Sequence, residues 1–245
     1  MEKNNQIKSI QLNTRFADDP TNLSNPTWTI SPNITGIEAF KIKNMIIPIS
    51  SYNIDQNNCY LKMFQNVSGT TTTNLITMTS QNYNSSNIAS SLQTAMNSQG
   101  SLYMSVNFST SANKLVFGSS TGSFYFMDPG NSKDCYEALG ISVGNSAVST
   151  YTAGNCIDLS GVKVINLESN SLDGVDISGY NRRIIGSIPI DESVNSIASY
   201  QDDSTDYIYT NISDISQISI LLRDEKYRDL VQRSHWSLTL NLIVD

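Results

Sequence analysis

His235 is the only histidine in the chain, so any proton relay through an imidazole would have to run through it. It stands beside Trp236 at the start of an alternating strand pattern, where a strand-edge or subunit-contact histidine is the plainer reading. Jelly-roll metalloenzymes of the cupin kind hold their metal with several histidines, a chemistry closed to a chain with one. Carboxylates gather at Asp202, Asp203 and Asp206 and again at Asp224 and Glu225, and either group offers oxygen ligands to a hard cation. Neither has the spacing of a calcium loop. Paired acids for glycoside cleavage must project into one cleft, which the linear order does not show. Tyr200, Tyr207 and Tyr209 fall close together, as a sugar-binding platform would, although cross-strand packing is the commoner use of such tyrosines. Cys59, Cys135 and Cys156 lack metal-ligand spacing, and the glycines are scattered instead of gathered in a phosphate loop. No catalytic residue, metal ligand or cofactor is therefore assigned. The chain reads as a non-enzyme.

The elements that would position these residues are strands. In the last run Trp236, Leu238, Leu240, Leu242 and Val244 alternate with Ser237, Thr239 and Asn241, which places one face in a core and the other in water. Charged residues make up 15% of the chain, against roughly a quarter in a typical soluble protein. Ser, Thr and Asn stand in their place and favour strand faces and tight turns. The net charge of −7 argues against a nucleic-acid surface, which needs Lys and Arg to displace phosphate counterions. Met1–Gln6 has no apolar secretory core, and no apolar run reaches the length of a membrane span. Three cysteines at wide spacing fit reduced thiols better than a disulfide framework.

Residues 1–27 read as a polar, extended N-terminal arm. Short strands follow at Trp28–Ile30 and Glu38–Ile47, the latter expected to place Phe40, Ile42 and Ile46 on one face and Lys41 and Lys43 on the other. The spacing of Ile88, Leu92 and Met96 predicts a helix over 85–97 that ends before Gly100. Strands are then expected at Leu102–Phe108, Leu115–Phe117 and Phe124–Met127, with a helical turn at Lys133–Leu139. Further strands are expected at Val162–Leu167, Ile184–Ile190, Tyr207–Tyr209 and Ile218–Leu222. No repeat or composition shift marks a second domain. The pattern predicts an all-β chain: a single jelly-roll β-sandwich over 28–245, with one short helix inserted between strands.

Several segments, taken in order, resemble the penton (minor capsid) proteins of virophages, Polinton-like viruses and related large double-stranded DNA viruses. They are Asn25-Pro26-Thr27-Trp28-Thr29-Ile30, Ile46-Ile47-Pro48-Ile49-Ser50-Ser51-Tyr52-Asn53-Ile54, the Asn57-Asn58 turn, and Asn82-Tyr83-Asn84 before the helix with Leu92. Leu139-Gly140-Ile141, Ile157-Asp158-Leu159-Ser160-Gly161 and Ile188-Pro189-Ile190 come next. Leu221-Leu222-Arg223-Asp224-Glu225 and His235-Trp236-Ser237-Leu238-Thr239-Leu240 match most closely. Ile141 departs from the family's usual aromatic, and Arg233-Ser234-His235 from an expected Asn-Gly turn. The resemblance implies a homopentamer plugging the five-fold vertices of an icosahedral virion, partnered by a double-jelly-roll major capsid protein and assembled inside an infected host cell. Some members carry an outer domain inserted between strands, for which the length and even composition here leave little room. Arg182, Arg183 and Arg223 are candidate interface residues, because guanidinium groups suit polar interfaces. The alternative is a jelly-roll glycan-binding or attachment module.

Overall fold

A computed structural model describes residues 6–130, 133–144, 146–172, 183–193 and 195–245. Two compact units form, one from Met1–Ser51 with Val162–Asp245 and the other from Tyr52–Gly161. In chain order the first unit opens with β1 (Gln6–Asn13), β2 (Thr27–Thr35) and β3 (Ile37–Pro48). The second holds β4 (Tyr60–Val67), β5 (Thr70–Thr77), α1 (Ile88–Gln99), β6 (Met104–Ser109), β7 (Lys114–Ser119), β8 (Gly122–Met127), α2 (Tyr136–Leu139) and β9 (Thr150–Thr152). The first unit then resumes with β10 (Val164–Glu168), β11 (Ile184–Pro189), β12 (Ile197–Gln201) and β13 (Ile208–Tyr209). It ends with β14 (Asp214–Ser219), β15 (Leu221–Arg223) and β16 (Ser237–Val244).

In the first unit one sheet runs β1-β16-β3-β12, with β13 also paired to β3. Strands β2-β14 and β11-β10-β15 make the remaining ladders. Only Ile220 separates β14 from β15, so they act as one strand and join those ladders into a second sheet. Taken this way each sheet has four principal strands, in the order of a jelly roll. Buried Leu238, Leu240 and Leu242 of the first sheet share a core with Trp28, Ile218, Leu222 and Leu167 of the second. The expected all-β jelly roll is what forms.

Three local differences from the sequence reading have physical causes. The N-terminal stretch is not a detached arm from end to end, because Gln6–Asn13 pairs residue for residue with Ser237–Val244. Inside β3, Asn44 faces Thr239 and Ile42 faces the very next residue, Leu240. Lys43 is therefore the extra residue of a β-bulge, and beyond it the inward face changes parity. Phe40 and Ile42 point inward as expected, but so do Met45 and Ile47, while Ile46 is 50% exposed. Finally, Tyr52–Gly161 is gathered into a compact unit of its own, where the sequence reading expects one domain. Its chain boundaries carry the same Ser- and Asn-rich composition as the rest, so nothing in the sequence announces them.

The inserted unit has two three-stranded sheets, β5-β4-β8 and β6-β7-β9, with α1 laid against β5 and β6. Ile88, Leu92 and Met96 are fully buried, as their spacing predicts. The helix starts at Ile88 and not Ser85, because Asn84 makes a turn first: its Oδ1 accepts from the N–H of Ser86 at 3.0 Å and of Asn87 at 3.1 Å. At Gly140 the backbone ends α2 in the left-handed region, with φ of 67°. A Cβ there would lie 2.2 Å from the Asn155 carbonyl oxygen, so the Leu139-Gly140 step requires glycine.

Candidate functional site

His235 is exposed, and its Nδ1 lies 3.0 Å from Thr14 Oγ1. That hydroxyl also accepts from the Trp236 N–H at 3.1 Å, and Thr14 N donates to Trp236 O at 3.1 Å. Thr14 is fully buried. The histidine thus flanks a clasp that holds the turn after β1 against the start of β16, and its described partner is a hydroxyl and not a carboxylate.

The carboxylate clusters are engaged locally. Asp203 pairs with Lys43 at 2.6 Å, and Asp202 accepts from the Ser204 N–H at 2.8 Å. Hydrogen bonds from Ser204 to Asp202 and from Gln201 to Asp203 hold both carboxyls below their ordinary 3.8. Asp224 is 5% exposed and accepts from Arg228 Nε at 2.7 Å and from the N–H groups of Lys226 and Arg228 at 2.9 and 2.8 Å. Glu225 accepts from Lys163 N at 3.3 Å. Among the described residues no group of three or more His, Cys, Asp or Glu side chains converges as a metal site would require. None of their helices is long and apolar enough to cross a membrane.

The arginines divide. Arg223 Nε donates to Glu168 at 3.0 Å, and its Nη1 pairs with Asp229, so its guanidinium is committed within the chain. Arg183 is exposed. Arg182 lies outside the described residues.

The tyrosines do not form one platform. Tyr209 stands out at 82% exposure, whereas Tyr200 and Tyr207 line a cavity of about 240 Å³. This cavity opens where the edge strand is interrupted: β12 ends at Gln201, β13 begins at Ile208, and both pair with β3. Loop 202–207 leaves the sheet between them. Ile42, Ile185, Ile188 and Ile208 contribute the apolar lining, with Lys41, Asp202 and Asp206 as its charged members. Burial raises the pKa of the Tyr200 hydroxyl, as does the nearby Asp202 carboxylate. Lys41 is only 7% exposed; its ammonium donates to the Ser204 carbonyl and lies 5.2 Å from the centre of the Tyr207 ring. The alternation of β3 placed Lys41 on a wet face, and the loop that covers it has no signal in the strand pattern.

Sequence reasoning also left a cluster around Asn53 unassembled. Asn53 is 6% exposed, and its Nδ2 donates to the carbonyls of Tyr83 at 2.7 Å and Leu159 at 2.9 Å. Its Oδ1 accepts from Tyr83 N at 2.8 Å, and its N–H donates to Asn82 Oδ1 at 3.0 Å. Asn58 Nδ2 completes the set by donating to Asn53 O at 2.8 Å. Four of the landmark segments, at 46–54, 57–58, 82–84 and 157–161, therefore meet at one asparagine. It ties the opening of the inserted unit to Leu159, close to that unit's end.

No known family profile matches this sequence, and no curated protein resembles it in sequence. The fold has a counterpart among solved structures. The crystal structure of the mavirus penton protein superposes with a TM-score of 0.53 at 9% identity, covering 99% of this chain and 100% of that one. The chain has a penton-like fold. At that identity the likeness is one of architecture, and it extends over nearly the whole chain.

Proposed function

We propose that this protein is a structural capsid protein, a penton that closes the five-fold vertices of an icosahedral virion as a homopentamer. The observation that carries the reading is end-to-end agreement of fold with a penton protein, covering 99% of one chain and 100% of the other. A domain borrowed into an unrelated protein would match over part of its length only. The landmark segments support the same reading, because four of them meet at Asn53 and the two that carry Trp28 and Trp236 meet at that ring pair. The partner at the vertex would be a major capsid protein of the double-jelly-roll type, and the site of action the virion of a double-stranded DNA virus. A ring needs heterologous contacts, in which one flank of each copy meets a different flank of the next. A net charge of −7 per chain requires those flanks to avoid like-charge contact.

Native mass over a range of concentrations tests the reading. The expected species has about five times the 27.0 kDa mass of the chain, with a five-fold ring in negative-stain images. Protein that stays monomeric up to its solubility limit would overturn the pentamer.

A further inference from the structure

Phe16 is 81% exposed, an unusual position for a side chain whose burial is strongly favourable. It sits in the short 3-10 turn Thr14–Phe16 that follows β1. In the sheet order β1-β16-β3-β12, β1 is one edge and β12 the opposite edge. The cavity between β12 and β13 lies at that opposite edge, lined by Ile42, Ile185, Ile188 and Ile208. The jelly roll thus carries an unburied aromatic knob on one flank and an apolar hole on the other.

Size and charge agree. A dry apolar cavity of roughly 150 Å³ suffices for a benzene ring, and this one measures about 240 Å³. Arg15, next to the knob, is exposed and makes no ion pair among the described residues. At the cavity, Asp203 is paired with Lys43 and Asp202 accepts from Ser204. Asp206, also a lining residue, makes no ion pair among the described residues and is the acid left for an incoming guanidinium.

We infer that Phe16 of one copy seats in the cavity between β12 and β13 of the next, with Arg15 pairing to Asp206 across the contact. The inference rests on the pentamer reading and names the contact that would close the ring. A second copy is the occupant because the chain itself supplies both halves, on opposite edges of the sheet, and this is what a head-to-tail contact needs. Aromatic anchors in desolvated pockets dominate interface energetics, with charged pairs at the rim fixing orientation.

The experiment compares the concentration at which rings dissociate in the wild-type chain and in four variants, by sedimentation velocity. Phe16→Ser is expected to raise that concentration by at least about tenfold. Arg15→Glu and Asp206→Arg should each raise it as well, and the double variant should return toward wild type. The single charge reversals lie on the two different flanks, so agreement between them reports the contact and not the folding of either flank. Rings of Phe16→Ser that persist at wild-type concentrations, or reversals that change nothing, overturn this contact and leave the pentamer standing. A wild-type chain that never assembles overturns the pentamer and the contact with it.

Discussion

The indole of Trp28 meets that of Trp236 edge-on, with ring centroids 5.9 Å apart and planes at 79°. Both rings are buried. Each N–H finds a backbone carbonyl: Trp28 Nε1 donates to Asn13 O at 3.0 Å and Trp236 Nε1 to Leu23 O at 2.7 Å. Trp28 belongs to β2 in one sheet, and Trp236 immediately precedes β16 in the other. The pair ties the two sheets of the jelly roll together. Trp236→Leu should therefore cost about 3 kcal/mol, from the cavity it leaves and the carbonyl it orphans. The urea midpoint, followed by circular dichroism, measures the loss.

Asn53→Ala should loosen the inserted unit at its neck. The substitution strands the carbonyls of Tyr83 and Leu159 and the N–H of Tyr83, all bonded to that side chain. A cost of about 2–3 kcal/mol is expected, since several buried polar groups lose their partners together. Hydrogen exchange should show faster opening at Ile54 and Tyr83 than at Leu167 or Leu240 in the jelly-roll core. Uniform protection across both units would refute the assignment.

Thiol chemistry should separate the three cysteines. Cys135 and Cys59 are buried and Cys156 is exposed. Burial drives the Cys135 thiol well above its ordinary pKa of 9.0 and raises that of Cys59. The thiolate is the reactive form, so iodoacetamide at mildly alkaline pH should label Cys156 alone in the folded chain. All three should label in denaturant. Labelling of Cys135 at the rate of Cys156 would contradict the buried placement.

Acid should unfasten loop 202–207 before it unfolds the core. The carboxyls of Asp202 and Asp203 have folded pKa values below 3.8, chiefly through hydrogen bonds from Ser204 and Gln201 respectively. A depressed carboxylate contributes stability above its unfolded pKa and loses it as pH falls through the folded value. Their contribution should be constant from neutral pH down to about the model-compound value and fall away as pH drops from there through the lower folded values. Asp203 is exposed and Asp202 half-buried at the rim of the cavity, so the effect is local. Asp203→Asn should differ from wild type in the Lys43 ammonium resonance at neutral pH, and the difference should fade as acid protonates the Asp203 carboxyl.

How far the sequence discloses this molecule depends on which signal each element carries. Strand β16 and helix α1 are plain, because Leu238, Leu240 and Leu242 keep a period of two and Ile88, Leu92 and Met96 a period near four. Strand β5 is not, since Thr70–Thr77 is mostly threonine and only Ile76 is fully buried. Ile46 lies on the face opposite to the one its alternation predicts, because one extra residue, Lys43, shifts the phase of β3, and a bulge has no composition of its own. The site is harder still. Phe16 reads as an ordinary apolar residue in a polar stretch, and Lys41 as an ordinary wet-face lysine. Only the path of loop 202–207 and the order of the strands give those two residues their surroundings.

The connection between β3 and β10 carries a consequence for how the chain is made. Strand β16 lies between β1 and β3 in the finished sheet, with Gln6 opposite Val244 and Ile37 also opposite Val244. Its two neighbours therefore leave the ribosome long before it does, and the whole of Tyr52–Gly161 emerges in the interval. The inserted unit has its own buried core and can condense during translation, while β1 and β3 wait with open edges. Long-range pairing of this kind is slow and exposes unpaired strands to wrong partners. A nascent chain in this state cannot present a complete flank to a neighbour, so the timing of synthesis itself keeps unfinished subunits out of any assembly.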